Sequence, residues 1–366
     1  MVSPDDEGAT APARENCLVG TLWSKAARVF TTPHHPEDFW ALVNPLASAR
    51  QLRGVVTAVV RETPQAATIS FRPGKGWDAH LAGQYARIGV EIDGVRHWRS
   101  YSLSAAEGRD PAITVTDIGR VSHGLVSGTR VGDVLFLAPP QGDFLLPTHP
   151  RPLLMLTAGS GLTPVMSMIR TLVPARADAD VVLVHSARTP ADALFREELL
   201  ETADQFSGLV VHHWFTTERG RRLDLTSTAD LDLLAPDWRD RVAYTCGPVE
   251  MLDAAEALWA SEGGDVRMER FAPTLLPGTG GHGGTISFEK SDREVDADGA
   301  TTLLDAGEEA GVLMPSGCRM GICHTCLTPL LGGQVRDLRT GELHGDEGEL
   351  IQTCVNAPAG PVRLDL

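Results

Sequence analysis

The sequence predicts a multidomain fold, in which an antiparallel β-barrel is followed by a doubly wound α/β domain and a small C-terminal domain. Short β-rich runs recur between turn residues over 51–149, as they do in antiparallel barrels. Apolar strands alternate with helical stretches over 150–272, the pattern of a doubly wound parallel sheet. A Gly- and Pro-rich linker, 273–284, then precedes the small domain, 285–366, and residues 1–50 form an N-terminal extension.

The barrel prediction depends on six short runs that are rich in β-branched, aromatic and small residues. Turn sequences such as Arg-Pro-Gly-Lys-Gly and Ile-Asp-Gly separate them, so each run is short enough to be one strand. The predicted strands are Gly54–Arg61, Ala67–Arg72, Tyr85–Ile92, Trp98–Ser104, Ala112–Thr116 and Val134–Leu137.

The α/β prediction depends on strands and helices that alternate along the chain. The predicted strands are Leu153–Thr157, Val181–His185, Val210–Trp214 and Arg241–Thr245. The predicted helices cover about 164–172, Ala191–Thr202 and Val249–Glu262. Alternation of this kind is typical of a sheet whose strands are parallel and whose helices cover both faces.

Composition narrows the function classes. The net charge of −16 argues against nucleic acid as a partner, because the phosphate backbone repels an acidic surface. The acidic start, Met-Val-Ser-Pro-Asp-Asp-Glu, lacks the features of a signal peptide, and no stretch is apolar for the length of a membrane span. Outside a C-terminal group of four cysteines only Cys17 and Cys246 remain, so we expect a cytoplasmic protein without a disulfide framework.

The four C-terminal cysteines are the most specific signal in the chain. Cys318, Cys323 and Cys326 are spaced C-x4-C-x2-C, and Cys354 follows well downstream. This is the spacing of plant-type [2Fe–2S] sites, so these thiolates are predicted to hold a two-iron cluster that moves single electrons. Zinc is the alternative, since four cysteines can also close a tetrahedral zinc site, although such sites usually combine two C-x2-C pairs.

Two barrel motifs suit an anionic aromatic cofactor. The first motif is Arg99-Ser100-Tyr101-Ser102. Its Arg can bind phosphate, its Tyr offers a flat face on which a ring can stack, and Ser can hydrogen-bond to the polar edge of that ring. Gly119-Arg-Val121-Ser122-His-Gly predicts a turn that opens a short helix, where N–H groups and Ser122 could hold a pyrophosphate. The alternative is a plain half-buried strand and an ordinary turn.

Two α/β motifs suit a nucleotide. Gly159-Ser160-Gly161-Leu-Thr163-Pro164 connects a predicted strand to a helix, which directs backbone N–H groups and the helix dipole at a phosphate. Cys246-Gly247-Pro248 follows a later strand, at the carboxyl edge where open α/β sheets bind ligands. The alternatives are a common strand–turn–helix corner and a small buried Cys before a tight turn.

In this order the motifs resemble the ferredoxin–NADP reductase superfamily with a fused C-terminal plant-type ferredoxin. The resemblance covers about 52–366 and implies a β-grasp fold for the ferredoxin domain. It also implies that Arg99 holds a flavin phosphate, that Tyr101 stacks on the isoalloxazine ring, and that Ser102 faces its reactive edge.

The same resemblance implies roles for the other motifs. The turn 119–122 matches the flavin pyrophosphate turn, and the loop 159–164 matches the pyridine-nucleotide phosphate loop, with Thr163 near the nicotinamide. Cys246-Gly247-Pro248 matches the element beside the nicotinamide. In Glu269-Arg-Phe271, which resembles the end of the reductase domain, Phe271 covers the other flavin face.

The implied cofactors are FAD, favoured over FMN, a [2Fe–2S] cluster, and NAD(P)H as cosubstrate. NADPH is favoured over NADH because the second-strand end carries Ser186 and Arg188, whereas an acidic residue there would suit NADH. No side chain is assigned as a catalytic acid or base, because the cofactors supply the chemistry.

The implied function is transfer of single electrons from NAD(P)H, through flavin and cluster, to a separate oxygenase, hydroxylase or fatty-acyl desaturase. The segment with Asn44-Pro45-Leu46 and the entry Arg53-Gly54 are similar to actinobacterial reductases that serve membrane desaturases. The acidic ferredoxin domain suits docking onto a basic redox partner, and the alternative is that its acidic residues only keep it soluble. Two alternatives stay open: a diaphorase or oxidase that reduces quinone or oxygen, and a non-catalytic redox-sensing adaptor.

Overall fold

The structure is a computed structural model that describes residues 44, 46, 51–92, 95–176, 178–271, 281–317, 319–321 and 324–366. The predictions for most of the N-terminal extension and of the linker, and for Cys318 and Cys323, therefore lie outside the described residues. The three predicted architectures are present in the predicted order. The domain boundaries stay a prediction.

The first domain is an antiparallel barrel. Its strands are β1 (Arg53–Thr63), β2 (Ala66–Pro73), β3 (Tyr85–Ile92), β4 (Val95–Ser102), β5 (Ala112–Thr116) and β6 (Val134–Leu137). They lie in the order β4-β3-β6-β1-β2-β5. The ends meet where Leu103 bridges Ile113 and the Ser104 N–H donates to the Ala112 carbonyl at 2.8 Å. Closure removes the unpaired edges of an open sheet.

Alternating strand residues fill the barrel. Ile69, Phe71, Ile88, Leu103 and Ile113 have no solvent exposure and pack into one core. The period-2 alternation of strands directs these side chains inward and their neighbours outward. After β5 a short helix, α1 (Arg120–His123), runs into a π-helical turn (Gly124–Gly128).

The second domain is a parallel sheet with helices on both faces. Its strands are β7 (Leu153–Ala158), β8 (Val181–Ala187), β9 (Leu209–Phe215), β10 (Val242–Cys246) and β11 (Val266–Glu269), in the order β11-β10-β7-β8-β9. Its helices are α2 (Leu162–Ala175), α3 (Arg196–Gln205), α4 (Thr216–Arg219), α5 (Ala229–Leu234) and α6 (Val249–Glu262). Helices α2 and α3 cover one face, and α5 and α6 cover the other.

One helix begins later than the sequence predicts. The predicted helix Ala191–Thr202 starts at Arg196 instead, because Pro190–Asp192 forms a separate 3-10 turn. Phe195 then adopts a left-handed φ of 52°, which an α-helix does not accommodate. Strand β11 has no counterpart in the sequence prediction.

The third domain carries two small sheets around one helix. One has the order β13-β12-β19-β14-β17 and the other β16-β15-β18. The strands are β12 (Gly284–Phe288), β13 (Arg293–Ala297), β14 (Leu327–Gly332), β15 (Val335–Asp337), β16 (Leu343–His344), β17 (Leu350–Gln352), β18 (Asn356–Pro358) and β19 (Val362–Leu364). Helix α7 (Leu303–Glu309) packs Leu303 and Leu304 against Phe288 in the core, which agrees with the predicted β-grasp fold.

The barrel and the α/β domain pack directly on each other. The Tyr244 hydroxyl and an Arg267 guanidinium N–H both donate to the Leu145 carbonyl, at 2.6 and 2.7 Å. The Ser167 hydroxyl donates to the Ala105 carbonyl at 2.6 Å. Buried polar groups at this junction are thus satisfied across the two domains, which fixes the walls of the cleft between them.

Within the part of the chain that the structure describes, no helix has both the length and the apolarity needed to cross a membrane.

Candidate flavin, nucleotide and cluster sites

A cavity of about 280 Å³ lies between the barrel and the α/β domain. It is lined by residues of both predicted barrel motifs and of the predicted phosphate loop. The predicted residues in its wall are Arg99, Ser100, Tyr101, Ser102, Gly119, Val121, Ser122, Ser160, Thr163 and Phe271. Tertiary structure thus brings together segments that are far apart in sequence.

Two aromatic side chains border this cavity. Tyr101 lies on β4, and Phe271, which is 43% exposed, follows β11. Arg270 anchors the Phe271 segment through ion pairs of 2.8 Å with Asp253 and Glu256 on α6. Burial raises the pKa of Tyr101 to about 12, so the phenol is neutral and presents an uncharged face to a ring.

The polar lining fits an anionic flavin. Ser100 Oγ is buried and has no hydrogen-bond partner among the described residues, and a buried hydroxyl in a cavity wall requires one. Arg99 donates to the Trp98 carbonyl at 2.9 Å, which fixes its guanidinium at the same cavity. Bidentate Arg geometry suits phosphate.

The predicted pyrophosphate turn is held by one serine. Ser122 Oγ accepts from the N–H groups of Ile118 and Gly119 at 3.0 and 2.9 Å. The turn therefore has a fixed shape before helix α1 begins, and it places Gly119, Val121 and Ser122 in the cavity wall.

The predicted nucleotide loop packs against the Cys246-Gly247-Pro248 turn. A Cβ added to Gly161 would collide with the Cys246 carbonyl oxygen, so only glycine allows the two loops to approach this closely. Gly159 has a left-handed φ of 55°. Gly161, Pro164 and Cys246 are buried, and Thr163 Oγ1 donates to the Ser160 carbonyl at 3.0 Å.

Glu269 is a site residue that the sequence analysis named only as the start of the Glu269-Arg-Phe271 motif, without assigning it a role. It pairs in register with Cys246, and its Oε2 accepts from the Ser102 hydroxyl at 3.3 Å. Burial raises the pKa of Glu269 to about 8, so it is mostly protonated at neutral pH. Burial also raises the pKa of the Cys246 thiol, with Glu269 adding to the shift. The carboxylate at the end of a strand beside Cys246 was the available signal, but β11 was not predicted.

A second cavity of about 420 Å³ lies at the carboxyl edge of the parallel sheet. Gly159, Ser186, Arg188 and Pro248 line it, as does Arg222, which the sequence reasoning did not identify. The position agrees with the rule that open α/β sheets bind ligands outside the carboxyl ends of their strands. Arg188 and Arg222 place two guanidinium groups in the lining, and such groups suit a phosphate.

The described part of the cysteine site fits a metal cluster. Cys326 and Cys354 place their sulfur atoms 3.2 Å apart, too far for a disulfide and close enough to share one iron atom. Hydrogen bonding with Cys354 lowers the pKa of Cys326 to about 6, which favours the thiolate that metals bind. Gly321 has a left-handed φ of 71°, and an added Cβ would collide with the Arg339 side chain.

The cluster loop lies next to the flavin cavity. A small cavity of about 110 Å³ is lined on one side by Arg99, Ser102 and Phe271, and on the other by Arg319 and Met320. Arg319 directly follows the predicted ligand Cys318 in sequence. The candidate cluster site and the candidate flavin site are therefore neighbours.

Comparisons with known proteins identify the family. Residues 155–257 match the oxidoreductase NAD-binding domain, and residues 286–359 match the 2Fe-2S iron-sulfur cluster binding domain. An NADPH oxidoreductase of Mycobacterium tuberculosis (strain ATCC 25618 / H37Rv) is 47% identical over 352 residues, which cover 93% of this chain and 91% of the relative.

The chain belongs to the ferredoxin–NADP reductase superfamily, in the group with a C-terminal [2Fe–2S] ferredoxin domain. The reductase is 29% identical to a glycine betaine monooxygenase reductase subunit of Chromohalobacter salexigens, over 77% of this chain and 86% of that one. Its fold resembles that of phthalate dioxygenase reductase, with a TM-score of 0.62 and 23% identity over 86% of this chain and 97% of that one. The matched domains indicate that the reductase uses a pyridine nucleotide and a [2Fe–2S] cluster, and membership of this superfamily implies a flavin.

These cofactors carry out hydride and electron transfer when they are bound. The protein provides their surroundings. Tyr101 and Phe271 bring apolar area to the cavity between the domains. The neutral Glu269 carboxyl holds a proton within reach of the Ser102 hydroxyl.

Proposed function

We propose that the reductase accepts hydride from NADPH and delivers single electrons to a separate oxygenase, hydroxylase or fatty-acyl desaturase. The observation that carries this proposal is the cavity shared by Ser102 and Phe271 of the flavin site and by Arg319 and Met320 of the cluster loop. Adjacent sites suit a chain of carriers in which a two-electron acceptor feeds a one-electron carrier.

The site residues have the roles that their motifs predict. Arg99 and the turn 119–122 bind the FAD phosphates, Tyr101 and Phe271 border the ring, and Ser102 faces its reactive edge. The loop 159–164 binds the nucleotide phosphates, with Thr163, Cys246, Gly247 and Pro248 by the nicotinamide. The four ligands of the cluster are Cys318, Cys323, Cys326 and Cys354.

NADPH is the preferred cosubstrate in this proposal. Arg188 and Arg222 line the same 420 Å³ cavity as Ser186, which suits the 2′-phosphate that distinguishes NADPH from NADH. A relative with 47% identity is named an NADPH oxidoreductase. The Asp224 carboxylate also lines this cavity, but it accepts from the Thr226 and Ser227 hydroxyls at 2.7 and 3.1 Å.

The acceptor is inferred from the relatives. The Chromohalobacter protein is named as the reductase subunit of a monooxygenase, which supports an oxygenase-type acceptor for this chain. A fatty-acyl desaturase is the finer proposal, from the similarity of the N-terminal segment to reductases of that kind. The cytoplasm stays our predicted location, from the cysteine usage.

Anaerobic stopped-flow spectroscopy tests the proposed function. On mixing with NADPH, the flavin band is expected to bleach first and the cluster band afterwards, and NADH is expected to act more slowly. Cytochrome c should accept electrons through the cluster, and ferricyanide should accept them from the flavin. A colourless protein, zinc in place of iron, or no oxidation of NADPH would overturn the proposal. Quinone reduction that persists without the cluster would favour the diaphorase alternative.

A further inference from the structure

Glu308 connects the ferredoxin domain to the flavin site. It lies in the last turn of helix α7, and its Oε2 is 3.5 Å from Arg99 Nη2 of the barrel. The other oxygen, Oε1, pairs closely with Arg319 of the cluster loop. One carboxylate therefore bridges a guanidinium of the flavin motif and a guanidinium of the cluster loop.

The bridge is shielded from solvent. The side chain of Glu308 is 18% exposed, and those of Arg99 and Arg319 are 26% and 19% exposed. Ion pairs at such depth are less screened than pairs on an open surface. Asp305, one turn earlier in α7, also pairs with Arg319 at 2.9 Å, which fixes the guanidinium from a second side.

The charges around the bridge make Glu308 the central residue. Burial lowers the pKa of the Arg99 guanidinium, and the nearby charge of Arg319 lowers it further. Two like charges in a partly buried position require an intervening anion. Glu308 is that anion, since it pairs with both guanidinium groups, whereas Asp305 pairs with Arg319 and, among the described residues, with no second arginine.

The bridge lies beside the cavity that the cluster loop shares with the flavin site. Arg319 and Met320 line one side of the 110 Å³ cavity, and Arg99, Ser102 and Phe271 line the other. A second, weaker contact lies elsewhere on the cluster loop, where Arg87 Nη1 donates to Thr325 Oγ1 at 3.3 Å. Contacts on both sides of the loop hold it against the barrel.

We propose that Glu308 is a positioning residue, which sets the cluster loop against the flavin pocket by bridging Arg99 and Arg319. This inference rests on the proposed function. The step that Glu308 positions moves one electron from the reduced flavin to the oxidised cluster, so that the flavin is oxidised by one electron and one ferric ion becomes ferrous. NADPH is the reductant that supplied the flavin with its electron pair. Because electron tunnelling falls steeply with distance, a loop that leaves the barrel slows this step and leaves hydride transfer intact.

The test compares Glu308→Gln with Glu309→Gln in the full-length holoenzyme. Glu309 is the exposed neighbour in the same helix, so its substitution removes the same charge without touching the bridge. In stopped-flow experiments, flavin bleaching by NADPH should be equal in both variants. Cluster reduction should be slower by roughly tenfold or more in Glu308→Gln only. Glu308→Asp, which keeps the charge on a shorter side chain, should give an intermediate rate.

A second measurement does not depend on activity. Small-angle X-ray scattering should show a larger radius of gyration for Glu308→Gln than for Glu309→Gln, because the ferredoxin domain leaves the barrel. High salt should slow cluster reduction in the wild type but not in Glu308→Gln, since the screened bridge is already lost there.

Three results would overturn the proposal: equal cluster-reduction rates in the two variants, equal radii of gyration, or a wild-type rate that does not respond to salt. Should Glu308→Gln fail to load its cluster, the wild-type salt series and Glu308→Asp still decide the matter. A wild type that oxidises NADPH without reducing its cluster would contradict the proposed function, and the scattering comparison would still test the bridge.

Discussion

Cys246 and Glu269 lie side by side on the parallel strands β10 and β11, and burial raises the pKa of both groups. The pair sits where the parallel sheet meets the barrel, and the Ser102 hydroxyl reaches Glu269 from the barrel side at 3.3 Å. The contact between the sheet and the barrel is therefore formed by a neutral thiol, a protonated carboxyl and a hydroxyl, of which the carboxyl and the hydroxyl line the small cavity beside the flavin site. Such surroundings favour close approach of an uncharged ring, because no buried charge has to be compensated.

The raised pKa of Glu269 predicts a pH dependence of stability. The group titrates near 4.5 when exposed and at about 8 in the folded protein, so between these values the native state binds the extra proton. Its contribution to the free energy of unfolding is full below pH 4.5 and falls as pH rises towards 8, with a slope of up to about 1.4 kcal/mol per pH unit. Chemical denaturation of Glu269→Gln should lack this decline. If the free energy of unfolding had the same pH dependence in the wild type and in Glu269→Gln, the raised pKa of Glu269 would be contradicted.

Gly161→Ala should disturb the nucleotide loop. The added Cβ collides with the Cys246 carbonyl oxygen, so the two loops must separate, at a cost on the order of 1–3 kcal/mol. We expect a lower free energy of unfolding and a higher KM for NADPH.

Gly128→Ala is the matched control, since a Cβ at that position meets no atom within 4 Å. Its stability and KM should equal those of the wild type. Equal behaviour of the two alanine variants would show that the contact between the loops is not tight.

Arg222→Gln should discriminate between the two nicotinamide cosubstrates. Loss of a charge-assisted hydrogen bond to a phosphate corresponds to roughly a tenfold to hundredfold loss of affinity. We expect KM to rise for NADPH and to stay unchanged for NADH, with the same pattern for Arg188→Gln. Arg219→Gln is the control, because Arg219 contacts the Trp214 ring and is not among the residues that line this cavity. An equal rise in KM for NADPH and for NADH would show that Arg222 binds a part of the nucleotide that the two cosubstrates share.

Cys354→Ser should separate the two redox sites. Cys354 Sγ lies 3.2 Å from Cys326 Sγ, and a hydroxyl is a poor ligand for iron, so the cluster should be lost or unstable. The visible cluster bands should disappear while the flavin spectrum remains.

Cys354→Ser should also separate the activity that needs the cluster from the activity that needs only the flavin. Cytochrome c reduction by NADPH should fall sharply, and ferricyanide reduction should persist. Cys246→Ser is the control, since its thiol is buried in the α/β domain, and it should keep the cluster bands. Retention of the cluster in Cys354→Ser would remove Cys354 from the ligand set.

Local patterns in the sequence predicted most of the fold. Strands such as Tyr85–Ile92 and helices such as Val249–Glu262 have the predicted bounds, because alternation and amphipathic periodicity are local properties of the chain. The predicted start of helix α3 was wrong. Phe195 packs into the core of the α/β domain with a left-handed φ, and the residue pattern does not indicate that conformation. Strand β11 was missed because Val266–Glu269 is a short edge strand of only partly buried residues.

The sequence by itself determined the chemistry of this protein. Cysteine spacing, the Arg-x-Tyr-Ser strand and the glycine-rich loop each join a residue type to a fixed local geometry, and such motifs can be read without coordinates. Only the tertiary structure decided which distant groups meet. Glu269 reaches Ser102, Arg222 joins Arg188, and Glu308 bridges Arg99 and Arg319 across domains. These contacts between distant residues depend on how whole helices and strands pack, and packing is a property of the folded chain that no single segment encodes.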